Sequence, residues 1–217
     1  MRTLPVLFVL GVAGCSDMIT PTRVPPYEYR LLPARTGRND IVSFKWPRTF
    51  LPVRIWVATD DVLRPHVAEA INRWEGAFLY GEFRAELVSD SSRADVIVRN
   101  TLSPGGGGLL KTRLLAQRPE CLGETVFDDT GWPSSQVLPL RIFIAPRFAP
   151  TDPGMAACYA ITATHELGHA IGLLEHTSDA GDVMFANPVL DGLSERDIVT
   201  AETVYHVQPS LTPTGRR

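Results

Sequence analysis

Positive charge, cysteine and long apolar runs are all scarce in this chain, and each scarcity excludes something. The 217 residues carry 21 Lys and Arg against 24 Asp and Glu, a formal net charge of -3. A basic footprint for phosphate backbones is therefore lacking, and nucleic acid is not an expected partner. No repeat or long block of like charge is visible. The apolar stretch from Leu4 to Val12 is too short to span a bilayer. Gly105 to Gly108 form a glycine run without the Lys-Ser/Thr that follows in a phosphate-binding loop, so nucleotide binding is not expected either. With only 3 cysteines and 5 histidines, the position of each one carries information.

The length allows one domain plus extensions. Residues 1–14 read as a processing segment: Arg2 gives the positive region, Leu4 to Val12 the apolar core, and small residues precede Cys15. Val12-Ala13-Gly14-Cys15 resembles the bacterial lipobox, which implies that Cys15 becomes a lipidated first residue. The expected protein is exported and anchored to the bacterial cell envelope by lipid only. Ser16 in place of aspartate favours the outer membrane by the same resemblance. Residues 15–50, rich in proline, are expected to form a tether, with Tyr27 and Tyr29 able to pack on the domain. A domain is expected over 51–207, with a frayed tail over 208–217. In an exported domain Cys121 and Cys158 could form one disulfide; sequence alone does not show that they meet.

Val53 to Val57 alternates as a strand. Pro65 suits the first turn of a helix whose apolar stripe runs through Val67, Ala70, Ile71, Trp74 and Phe78. Glu86-Leu87-Val88, Val96-Ile97-Val98, Glu124 to Phe127 and Arg141 to Ala145 read as further strands. Asp128 to Gly131 reads as a turn in which Asp128 and Asp129 could bind calcium. Ser194 can cap a last helix, with Asp197 completing a capping box. The order predicts an α+β domain: a twisted mixed sheet, a covering helix, an active-site helix and a C-terminal helix.

The chemistry lies in His165-Glu166-Leu167-Gly168-His169-Ala170-Ile171-Gly172-Leu173-Leu174-Glu175-His176. Residues i and i+4 share a helix face, so His165 and His169 can reach one metal ion with Glu166 beside it. Ala160, Ala163, Leu167 and Ala170 form one apolar stripe, while Ile161, His165 and His169 form another, expected to face a cleft. Gly172 suits the left-handed residue that ends a helix.

This run resembles the metzincin zinc proteases, whose signature H-E-x-x-H-x-x-G-x-x-H precedes a methionine turn. Among them the matrixins, the family of the matrix metalloproteinase catalytic domains, fit best. Met184 aligns with the turn methionine, Leu193 to Ile198 and Val204-Tyr205 with the ends of the last helix, and Ala94 to Val98 with the strand before the cleft. The resemblance implies one catalytic zinc and an endopeptidase, expected to act as a monomer on peptide or protein substrates. Glu166 would be its general base. An extended substrate would add to the sheet edge near Thr125. Phe185, Asn187 and Pro188 would lie at the pocket after the scissile bond. Asp197 would brace the methionine turn, and Met184 would floor the metal.

The chain departs from the signature in one place that matters. Glu175 stands where the third ligand belongs, and His176 comes one residue late. Either side chain can bind zinc; the spacing from His176 to Met184 favours His176. Arg196 replaces an aspartate that in the family pairs with a processed amino terminus. A cysteine capping the zinc is the lesser reading of the two cysteines, since no cysteine-switch motif lies upstream. A different class of function stays open: a catalytically silent, zinc-stabilised envelope lipoprotein acting in binding or adhesion.

Overall fold

The computed structural model describes residues 23–32, 39–58, 62–102, 111–117 and 121–215, the stretch 111–117 by its backbone alone. Cys15 and the signal segment lie outside these. Strand β1 (Val53–Val57) buries Val53, Ile55 and Val57 and leaves Arg54 and Trp56 half-buried, the alternation that a pleated strand imposes. Helix α1 (Leu63–Gly76) buries Leu63, Val67, Ala70, Ile71 and Trp74 along one stripe. Then come β2 (Ala85–Val88), β3 (Val96–Arg99), β4 (Lys111–Gln117), β5 (Cys121–Asp128) and β6 (Ser135–Pro146). Helices α2 (Met155–Ile171) and α3 (Glu195–His206) and strand β7 (Thr212–Thr214) complete the α+β chain.

The sheet order is β2-β1-β3-β6-β5-β4, with β7 beside β6. From β2 to β6 the pairs are parallel; β5 is antiparallel to both β6 and β4. Asp95 is 1% exposed and accepts from the Arg54 backbone and from both ends of its guanidinium, which fastens β3 to β1. Helix α1 packs on α2 and crosses β1 and β2, while α2 lies against β5 and β6. Tyr205 closes α3 onto this core, its ring 4.7 Å from that of Phe78. No helix among the described residues is long and apolar enough to cross a membrane.

Three expectations need correcting. Strand β5, which carries Thr125, is not a sheet edge, because β4 pairs along it from Leu122 to Asp128. Lys111-Thr112-Arg113-Leu114-Leu115-Ala116-Gln117 lacks the alternation that would have revealed a strand. The tail is not frayed throughout: Leu211 is 0% exposed, and β7 pairs with Ser135 to Val137 of β6. Its Pro213 is tolerated because an edge strand need not donate on both sides. The segment read as tether also supplies core, since Leu31, Val42, Phe44 and Trp46 are buried in the main cluster. Trp46 donates from Nε1 to the carbonyl of Ala170 at 2.9 Å.

Cys121 and Cys158 are joined, with Cα atoms 6.3 Å apart, and bind the start of β5 to the first turns of α2. A link spanning 37 residues restricts the unfolded chain enough to be worth roughly 4 kcal/mol. Reduction, or a Cys121→Ala/Cys158→Ala double substitution, is expected to lower unfolding free energy by about 2–4 kcal/mol in denaturant titration.

Candidate metal centre

Before the histidines, helix α2 carries mostly small residues, Ala156, Ala157, Cys158, Ala160, Thr162, Ala163 and Thr164, beside the larger Met155, Tyr159 and Ile161. Small side chains let neighbours approach on every side. The result differs from a helix with one face in an open cleft: every residue from Ile161 to Ile171 is buried, and His165, Glu166 and His169 are 0% exposed. Gly168 shows how close the packing is. A Cβ there would strike the sulfur of Met184 and lie 2.8 Å from Trp74. Gly172 ends the helix with φ +121, and a Cβ on it would collide with the Phe44 carbonyl. Leu173 N–H donates to the Gly168 carbonyl at 3.0 Å, closing the helix end and turning the chain back towards its histidines.

Three imidazoles meet there. His165 and His169 each place Nε2 3.2 Å from Nε2 of His176. His165 Nδ1 donates to the Val183 carbonyl at 2.7 Å, and His169 Nδ1 donates to the Leu173 carbonyl at 2.6 Å. With their protons held on Nδ1, both rings point Nε2 lone pairs inward. The ligand atoms of the three lie within 4.8 Å of one another, close enough to bind a metal. The 3.2 Å separations suit nitrogen ligands of one ion, since tetrahedral ligands about 2.0–2.1 Å from a centre stand roughly 3.3 Å apart. No protein-family model matches the chain, and no curated protein matches it. The site is therefore read from its own chemistry.

Glu175 does not join the three. Its Oε1 accepts from Leu32 N–H at 3.3 Å, so the choice between Glu175 and His176 falls geometrically to His176. Glu166 turns towards β5. Thr125 Oγ1 donates to Glu166 Oε2 at 2.6 Å, and a Cβ on Gly123 would collide with Oε1. Gly123 and Thr125 therefore cradle this carboxylate. A glycine inside a strand pattern was the one sequence signal for that cradle.

Met184 is 0% exposed, seated against Gly168. Its loop is held by α3. Asp197 Oδ2 accepts from Val183 N–H and Ser194 N–H, each at 2.9 Å, and Ser194 Oγ completes the capping box. Burial raises the Asp197 carboxyl above its ordinary value against the pull of these donors. Asp182 accepts from Thr177 and Ser194 hydroxyls and pairs with Arg196 at 3.0 Å; nothing in the sequence singled it out. Arg196 is thus tied into the loop that follows the third histidine. Phe185 is half-buried, Asn187 exposed and Pro188 buried, in the same loop. Asp128 accepts from the backbone and hydroxyl of Thr130, as a turn residue does. Among the described residues, His165, His169 and His176 form the one group of three metal-binding side chains.

Burial, then the neighbouring His176, pushes His165 down to about 3, against the upward pull of the Val183 carbonyl. A histidine depressed on folding binds its proton more readily in the unfolded chain. Its contribution is present above about 6.5 and lost as pH falls towards about 3. The metal-free protein should therefore lose stability across that window in pH-dependent melts. His176→Ala should abolish stoichiometric binding of a divalent metal and Glu175→Gln should retain it, measured by metal analysis after dialysis.

Proposed function

We propose that this protein is a zinc-dependent endopeptidase of the metzincin kind, matrixin-like, exported and lipid-anchored through Cys15. The observation that carries the reading is the meeting of His165, His169 and His176 with Glu166 one residue from the first of them. His165, His169 and His176 would hold the ion. Bound zinc supplies Lewis acidity, polarising a carbonyl and lowering the pKa of a water to about 7. Glu166 takes a proton from the attacking water and delivers it to the leaving amine. Thr125 holds the carboxylate of Glu166 through its hydroxyl. Phe185, Asn187 and Pro188 would line the pocket for the residue after the scissile bond. Both sides of β5 are already paired, so an extended substrate has no free edge there. The Cys121–Cys158 link suits an oxidising compartment outside the cytoplasm.

One observation favours a second reading, a catalytically silent envelope protein that uses zinc for stability. Glu166 is fully buried under β5, whereas a base must meet its water. Glu166→Gln separates the two. In the endopeptidase, this variant keeps one zinc per chain but loses about 10²- to 10⁴-fold of peptide-library cleavage. If wild type and variant bind zinc equally and neither cleaves, the protease reading is wrong.

A further inference from the structure

The strap over residues 27–32 runs past the metal centre, contacting the groups that support His165 and His169 and the residue next to His176. Tyr27 Oη donates to Asp197 Oδ1 at 2.8 Å; Asp197 Oδ2 accepts from Val183 N–H; the Val183 carbonyl holds His165 Nδ1. The Tyr29 carbonyl accepts from Leu174 N–H at 2.7 Å, and the carbonyl of the preceding Leu173 holds His169 Nδ1. Leu32 N–H donates to the carboxylate of Glu175, next to His176. The strap is seated by its own contacts. Tyr27 N–H donates to Thr200 Oγ1 at 3.2 Å, and Arg196 lies over the Tyr27 ring, 5.7 Å from its centroid. Leu31 is 0% exposed and exchanges two backbone hydrogen bonds with Val42, at 2.9 and 3.1 Å.

We propose that residues 27–32 are the outer shell of the metal centre, so that docking of this strap and binding of the ion are thermodynamically coupled. This rests on the metal-centre reading and not on catalysis. The physical basis is that a ligating imidazole is aimed by what its other nitrogen bonds, and loss of such support typically costs metal affinity. Here the supporting carbonyls, at Val183 and Leu173, lie just outside the helices, each residue held through its N–H by one hydrogen bond to a helix residue, Asp197 and Gly168. The strap ties both loops, and the coupling is reciprocal: whatever seats the strap tightens the ion, and the ion seats the strap by the same factor. Tyr27, Tyr29 and Leu32 act as positioning residues. The segment ahead of the domain thereby becomes a control element, because pulling on it or covering it changes how firmly the centre holds its metal.

The test uses the purified chain from Ser16 onward, loaded with zinc, and follows zinc release to a chelator. It is paired with hydrogen exchange of the amides of Tyr27, Leu31, Leu32 and Leu174 in loaded and stripped protein. Tyr27→Phe removes one hydrogen bond to a carboxylate and is expected to speed zinc release roughly three- to tenfold. Thr200→Val, which loosens the strap from a second point, should act in the same direction. Ile55→Val in β1 is a core change of modest stability cost and should leave zinc release unchanged. Stripping the zinc should speed exchange at the four amides. Unchanged release in both strap variants, or release that follows melting temperature equally in all three, overturns the coupling, as does exchange that ignores zinc. A wild-type chain that binds no zinc overturns the metal-centre reading itself, and zinc-bound protein without peptidase activity leaves the coupling standing.

Discussion

The meeting of three imidazoles, with His165 and His169 each holding Nε2 3.2 Å from that of His176, is the constraint around which the rest is arranged. With their protons on Nδ1, His165 and His169 turn Nε2 lone pairs inward, where a positive centre would satisfy both. Protonating the rings is not an easy alternative, because burial holds His165 down to about 3. A metal ion would supply that centre, and the surroundings then have one task, to aim the rings. Val183 and Leu173 do so through carbonyls, Gly172 through a helix end that no residue with a Cβ could make, and Gly168 by letting Met184 and Trp74 close on the helix. Trp74 also donates to the Thr164 carbonyl at 2.8 Å, fixing α1 to α2 one residue before the first ligand.

Much of this was legible because it is local. The i, i+4 histidines, the terminal glycine and the Ser194–Asp197 box follow from helix geometry alone, and each sits where the pattern places it. The strands Val53–Val57 and Val96–Arg99 were legible from alternation and from β-branched content. What escaped depends on partners distant in sequence. Strand β4 has no pattern of its own and is a strand because β5 offers it a ladder. Tyr27 and Asp182 are ordinary polar residues in sequence and become supports only when α3 arrives. The cleft-facing stripe failed for a related reason. Periodicity tells which residues share a face and not how many faces are covered, and α2 is covered all round from Ile161 to Ile171.

The position of Glu166 bears directly on the proposed reaction. Its carboxylate lies against a glycine and a threonine of an internal strand. The Thr125 hydroxyl holds one oxygen, and the glycine leaves room only for the carboxylate itself. Such a carboxylate is well oriented and poorly hydrated. A water reaching it must come from the side of the histidines, since β5 blocks the other. β5 thus fixes the orientation of Glu166 and covers one side of its carboxylate. With β4 filling the ladder position beside β5, substrate recognition would have to rest on side-chain pockets more than on backbone pairing.

The centre is assembled from segments spread over most of the chain: the strap at 27–32, β5, α2 and its return loop, the Met184 turn and α3. No two neighbours in sequence can build it alone, so an ion that requires all of them is bound by the folded chain and not by the unfolded one. Its binding energy then becomes folding energy for the whole domain. The disulfide acts on the same problem from the other side. By joining the head of β5 to the head of α2, it restricts the loop that separates the Glu166 cradle from Glu166 before any metal is present. A disulfide formed first makes the remaining closure cheaper in entropy, and the metal then fixes what the disulfide cannot, the return of His176 and the loops behind it. The covalent link and an ion would act towards opposite ends of one helix, the link at Cys158 and the ion at His165 and His169.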